Sequence, residues 1–344
     1  MKKAILVLFV FLFTIACTPE PDNLKSELKI AFGSCSNQRL PQVIWPAINA
    51  NNPDLWIWMG DIIYMDSDSL EVTEEAYRIQ KENPDYMILM DSAEIIGIWD
   101  DHDYGLNDGG KEWSVKDEKK ELMFDFLDEP VNSSRRKHDG VYISYDYFLK
   151  EDRTVKVILL DGRYFRDTLT FSPVRGVRYD PNPYGQGTML GKEQWNWLEK
   201  ELKHSKADLN IIVSGIQVLS EEHGFESWGG NFPHERDKLF EMLKSTGAKN
   251  VLFLSGDRHI AEVSRMDTDY LDYPVFDITS SGLTHSYEGA DEPNKYRISP
   301  LIDQKNFGIL TIKPNGKNLL VDVELKGEKD TLFYALKLHY TIDY

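Results

Sequence analysis

Several apolar runs in the chain end on residues able to bind a metal ion. The donors are Cys35 in "GSC", Asp61 and Tyr64 in "GDIIY", Asp257 and His259 in "SGDRH", and a crowd of acids around His102 in "WDDHDYGLND". A single Asp after a strand is most simply a helix N-cap. Asp100, Asp101, Asp103 and Asp108 together are another matter, because carboxylates this close repel unless something positive sits among them. Thiol, phenol, imidazole and carboxylate groups arriving at comparable places form a metal-ligand inventory. Asp161 with Arg163 in "LDGR" and Gln217 in "SGIQ" stand at the ends of two further runs.

Such residues converge only if the runs before them are neighbouring strands. Continuous apolar stretches at 28–36, 53–64, 93–103, 155–163, 209–217 and 249–259 predict six buried strands, each ending in a polar or Gly-containing turn. Between them, 41–52, 116–129, 191–207 and 233–247 predict helices, the last ending at Gly247 as C-cap. Trp195 and Trp197 fall in a helix, where core packing is their expected role. Strand and helix in alternation imply an α/β fold with a mostly parallel sheet, whose sites form at the carboxyl ends of the strands. Beyond Asn306 the texture changes, and Asn315-Gly316 between alternating apolar runs predicts a hairpin that extends the fold as an antiparallel edge. Residues 28–344 read as one catalytic domain.

With 344 residues and 41% hydrophobic content, the chain can bury a substantial core. Its formal net charge of −18 argues against nucleic acid or anionic membrane as a partner held through a basic surface. An anionic substrate then requires local cations, which bound metal supplies. Lys2 and Lys3 before the apolar run Ala4 to Phe13 read as a secretory signal, and Ala16-Cys17 resembles a bacterial lipoprotein cleavage site. The expectation is a signal peptide at 1–17, lipid on Cys17, a polar tether at 18–27, and an exported protein anchored to a bacterial membrane. Cys35 is then the one remaining cysteine and has no disulfide partner. It is either a small buried hydrophobe or a metal-bound thiolate.

Taken in order, "GSC", "GDIIY", "WDDHDYGLND", "LDGRYFRD", "LGKEQWNWL", "SGIQ", "SGDRH" and "TSSGLTH" resemble the PhoD-type alkaline phosphatase family of the metallophosphoesterase superfamily, from about residue 28 to 308. The resemblance implies a four-layer α/β/β/α sandwich, a binuclear or larger metal centre, and hydrolysis of phosphate mono- or diesters. Laid on the superfamily's ligand order, it implies Cys35 near the first ligand, Asp61 as a carboxylate bridging two metals, and Asp101 as a further ligand. His102 falls on the catalytic histidine with Asp103 as its orienting partner, and Asp257 and His259 replace two histidines. Thiolate, Tyr64 phenolate and extra carboxylates are more anionic donors than imidazoles and favour a higher-valent ion. The family is similar in implying ferric iron with calcium at neighbouring acids, and calcium takes several oxygen ligands.

The reaction this implies is phosphoryl transfer to water, with His102 hydrogen-bonding an ester oxygen. Arg163 and Arg258 are candidates to bind the phosphate, since a guanidinium matches its oxygens in a planar fork. The competing role for each is an ordinary ion pair with nearby acids. His223 and His234 flank "GFESWGGNFP", a loop long enough to rim the site, where surface histidines are expected. His285 in "TSSGLTH" is expected to support the site. Gln217 stands where many superfamily members place another metal-binding histidine. The rival readings are a phospholipase-D-like or nuclease-like diesterase and a non-catalytic ligand-binding lipoprotein.

Overall fold

The computed structural model describes residues 24–342. The predicted signal segment, Cys17 and most of the tether lie outside the described residues. The tether's last residues lie against the body, where Lys25 bridges Leu149 through the backbone and pairs with Asp54 at 2.7 Å.

In chain order the strands are β1 (Leu28–Gly33), β2 (Leu55–Met59), β3 (Glu94–Ile98), β4 (Ile143–Leu149), β5 (Arg153–Leu159), β6 (Thr170–Phe171) and β7 (Tyr179–Asp180). They continue with β8 (Leu209–Ser214), β9 (Val251–Ser255), β10 (Ala261–Met266), β11 (Val275–Ser280), β12 (Phe307–Asn315), β13 (Asn318–Lys326) and β14 (Leu332–Thr341). The helices are α1 (Trp45–Ala50), α2 (Leu70–Lys81), α3 (Pro84–Ser92), α4 (Asp101–Tyr104), α5 (Lys116–Phe126), α6 (Gly191–His204), α7 (Trp228–Asn231) and α8 (Pro233–Thr246). Local chemistry sets several of the ends. Asn83 caps α3 by accepting from the N–H of Asp85 and Tyr86, with Pro84 following it, and Gly247 ends α8 at φ +68.

All six apolar runs form strands, yet they do not share one mostly parallel sheet. The strands divide into two six-stranded mixed sheets, ordered β14-β13-β12-β1-β2-β3 and β10-β11-β9-β8-β5-β4, with β6 and β7 as a separate ribbon. Each sheet has a parallel part, β1-β2-β3 along one side of the first and β5-β8-β9-β11 in the middle of the second. Short connections join the antiparallel pairs β4–β5, β12–β13 and β13–β14, whereas β12 pairs with β1 from the far end of the chain. Asn315 pairs with Asn318, leaving Gly316-Lys317 as the hairpin loop, with Gly316 at φ +59.

Alternation along the strands divides the core into layers. Val157, Ile211 and Leu254 belong to the core shared with the first sheet, whereas Ile158, Ile212 and Phe253 pack with Trp195, Leu198, Leu239 and Phe240 of α6 and α8. On the first sheet, Trp56 and Trp58 meet Trp45 of α1 with ring centroids 5.2 and 5.5 Å apart, and Trp58 meets Tyr86 of α3 at 5.7 Å. Helix, sheet, sheet, helix is the order of the sandwich. Burial on both faces explains why these strands read as unbroken apolar runs. Among the described residues no helix is long and apolar enough to cross a membrane.

Candidate metal centre

β1, β2, β3, β8 and β9 release their chains at one edge of the sandwich, and the turns there are unusually sharp. Cys35, Asp61, Asp257 and His259 have φ values of +61, +50, +69 and +56, a left-handed backbone that costs a non-glycine residue about 1 to 2 kcal/mol. Strain gathered at one point indicates a functional constraint. Glycine makes the convergence possible at two positions. A Cβ on Gly60, at φ +91, would fall 2.3 Å from Asp100 Cβ, and one on Gly215 would fall 2.4 Å from Asp100 Oδ1.

Cys35 is fully buried, its Sγ 3.3 Å from Asp61 Oδ2 and 3.0 Å from Ser281 Oγ. Burial pushes the thiol up to about 11. Tyr64 brings its hydroxyl 3.0 Å from His259 Nε2 and 3.4 Å from Asp61 Oδ2. Burial, then the neighbouring His285 and Arg258, push His259 down to about 3, which keeps the imidazole in the neutral form that ligates metals. Donor atoms of Cys35, Asp61 and His259 lie within 4.8 Å of one another, and so do those of Asp61, Asp101 and His102. Asp61 belongs to both groups. Asp100, Asp101 and Asp257 make a third group, and Asp101, Asp108 and Glu226 a fourth.

The protein balances the acids of these groups only in part, with Arg163 on Asp100 and Glu226, Arg178 on Asp108 and Arg258 on Asp257. Burial pushes Asp61 and Asp257 well up and brings Asp100 and Glu226 to about 7. Burial opposes the charge on His102, but Asp61, Asp66 and Asp101 outweigh it and push the imidazole up to about 11. Asp100 Oδ2, Asp101 Oδ1 and Glu226 Oε2 are buried with no hydrogen-bond partner. Buried carboxylate oxygens left open beside like charges fit cations, and so does the donor chemistry of thiol, phenol, imidazole and carboxylate.

Three sequence-based roles change. Asp103 does not orient His102, because its oxygens accept from the N–H of Asp100 at 2.6 Å and of Ile62 at 3.2 Å. It is the third residue of a capping box on the one-turn helix α4. The partner of His102 is Asp66, which accepts from Nδ1–H at 2.9 Å while Tyr64 stacks on the ring at 4.1 Å. Arg163 does not face a substrate. It is 1% exposed, donating from Nε to Asp100 at 2.6 Å and from Nη1 to Glu226 at 2.8 Å, so it braces the acids from behind. His223 is buried rather than on the surface, its Nδ1 accepting from the N–H of Phe225.

Other residues stand nearer their expected places. Arg258 lines the cleft, paired with Glu292 and with its guanidinium 4.1 Å from the Phe225 ring centroid. His285 packs edge-on to Tyr64 and His259 at 4.9 and 4.3 Å. Gln217 turns away, donating to Glu262 and Thr279 at 2.8 Å each. His234 hydrogen-bonds Gly187 O, and Trp195 is buried. Sequence reasoning missed several residues in or beside the cleft, among them Asp66, Glu226 and Arg178. Asp66 follows Tyr64 in the acidic "YMDSDS", Glu226 is a lone acid in an aromatic loop, and Arg178 lies on a ribbon with no periodic signal.

The profile of a family described as PhoD-like phosphatase matches residues 30–306. The chain is 27% identical over 146 residues to alkaline phosphatase D of Bacillus subtilis (strain 168), covering 39% of this chain and 25% of that protein. The match thus spans a quarter of the curated relative's length. A solved structure titled "Structure of PhoD" superposes with a TM-score of 0.72 at 17% identity, covering 95% of this chain and 74% of that one. A 5'-nucleotidase structure from Staphylococcus aureus, itself described as putative, gives 0.41 at 12% identity, covering 93% and 55%.

Proposed function

The chain belongs to the PhoD-like phosphatase family, and from that premise we propose that it hydrolyses phosphate esters at a centre of two or more metal ions. The observation that carries this reading is the set of open, buried carboxylate oxygens on Asp100, Asp101 and Glu226, in donor groups that Asp101 joins to Asp61. Cys35, Asp61, Tyr64 and His259 would hold one ion, and Asp61, Asp101 and Asp257 the next. When bound, the ions lower the pKa of an attacking water and neutralise phosphoryl oxygens. Thiolate and phenolate donors support iron(III) at the Cys35 end, and the oxygen-rich end supports calcium.

The chain's own groups do the rest. Asp66 accepts from Nδ1–H and with Asp61 and Asp101 holds His102 as the imidazolium, whose Nε2–H is left to donate to an ester oxygen or protonate it. Arg258 offers its guanidinium to the phosphoryl oxygens from a position set by Glu292 and Phe225. Export and lipid anchorage at Cys17 rest on the basic, apolar and Ala-Cys pattern of the first seventeen residues. The test is release of product from a phosphomonoester and a phosphodiester by metal-loaded wild type and His102→Ala. We expect turnover of at least one ester, falling by about a hundredfold or more in the variant. Full turnover in His102→Ala would remove His102 from the reaction.

A further inference from the structure

The ribbon β6–β7 is pinned beside the cleft. The N–H groups of Arg178 and Tyr179 both donate to Gly224 O, at 2.9 and 3.0 Å. Gly224 itself sits so close that a Cβ there would meet Val177 Cγ1 at 3.0 Å. The two residues after Gly224 are Phe225 and Glu226, so one seam fixes both the ribbon and the segment that enters the cleft. On the ribbon, the Tyr179 hydroxyl and the Arg178 guanidinium converge on a single oxygen of Asp108, at 2.6 and 2.5 Å.

Two arginines line the cleft, and they differ in freedom. Arg258 has a side chain 5% exposed, held between two acids. Arg178 is 46% exposed, and Asp108 is its one carboxylate partner among the described residues. The cleft's volume of about 70 Å3 is small. A phosphoryl group held among Asp101, His102, Asp257 and His259 leaves the rest of an ester to run outward past Arg178, the exposed arginine of the lining. A chain of net charge −18 repels a second anionic group there unless a local cation receives it.

We propose that Arg178 is a specificity-determining residue that binds a second negative charge on the ester substituent. The favoured substrates are then phosphate esters bearing a carboxylate or a further phosphate a few bonds from the ester oxygen. This rests on the phosphate-ester reading above, so its test separates binding from turnover. Calorimetry with the metal-loaded protein compares 3-phosphonopropionate with propylphosphonate, two non-hydrolysable ligands that differ in the remote carboxylate. Wild type should bind the first about tenfold more tightly. Arg178→Ala should abolish that difference while leaving propylphosphonate unchanged, Arg178→Lys should restore most of it, and Arg175→Ala, exposed on the same ribbon, should keep it. Equal weakening of both ligands in Arg178→Ala would make the residue a brace for Asp108 and overturn the proposal, as would no change at all. Hydrolysis of 3-phosphoglycerate and glycerol 3-phosphate is followed in parallel. Absence of turnover with the binding difference intact would sink the hydrolase reading and leave the role of Arg178 standing.

Discussion

Replacing Arg163 by methionine should weaken the fold from behind the site rather than weaken phosphate binding directly. Methionine keeps the packing of the side-chain stem, so the loss is electrostatic. The guanidinium donates to Asp100 at 2.6 Å and Glu226 at 2.8 Å, and both of those side chains are 2% exposed. Two charge-assisted hydrogen bonds at about 1.5 to 3 kcal/mol each give about 3 to 6 kcal/mol. Removing one partner of a buried ion pair costs about 3 to 5 kcal/mol by an independent route. Glu226 retains Arg166 at 3.3 Å, which favours the lower part of that range, about 3 to 4 kcal/mol. With an m-value of about 3 kcal/mol per molar urea, the midpoint should fall by roughly 1 M. The assay is urea unfolding of chelator-treated protein followed by tryptophan fluorescence, with phosphate binding measured on the folded, metal-loaded variant. A cycle with Glu226→Gln should show coupling of about 1.5 to 3 kcal/mol. Unchanged stability with a tenfold loss of phosphate affinity would refute the reasoning and return Arg163 to the substrate.

Asp66→Asn should lower kcat by about tenfold or more with the melting temperature preserved, because the residue is half exposed and acts on the His102 ring. Asp103→Asn should instead destabilise by about 1 to 3 kcal/mol, since it disturbs a buried acceptor of two backbone N–H groups. Thermal melts and steady-state kinetics on the two variants separate these roles, and the opposite pattern would restore Asp103 as the orienting residue. Gly60→Ala should cost about 2 to 5 kcal/mol by combining a left-handed backbone with a clash against Asp100, read as a lower unfolding midpoint and reduced metal content. If iron(III) binds Tyr64, purified protein should be coloured by a phenolate-to-iron transition, and Tyr64→Phe should bleach it. A colourless protein of full iron content would exclude that ligand.

The strands that carry the centre were legible because burial on both faces leaves an unbroken apolar run, and the Gly, Asp or Cys that ends each run is local in sequence. β4, β10 and β11 were not, since β4 alternates half-buried Tyr145 and Tyr147 with exposed Asp146 and Phe148, and β10 and β11 bury Glu262, Ser264, Asp277 and Thr279 within the sheet. Division into two sheets follows from pairings such as β1 with β12, more than 270 residues apart, which no window of sequence contains. Residue type alone also cannot separate an arginine that binds phosphate from one that neutralises buried acids, and Arg163 proved to be the second kind. Asp103 misled for a related reason. Its position beside His102 matched the expected orienter, while the one-turn helix it caps directs its oxygens back to the backbone. Glu226 and Arg178 reach the cleft through the seam at Gly224, a contact made by folding.

The central claim is that Asp61 and its neighbours hold metal ions that hydrolysis of a phosphate ester requires. It is tested most directly by phosphate release from a phosphomonoester using protein stripped by chelator, then restored with metal, in wild type and Asp61→Asn. The account predicts loss of release on stripping, recovery on restoration in wild type, and no recovery in Asp61→Asn. Equal phosphate release by the stripped protein, or full recovery in the variant, would contradict it.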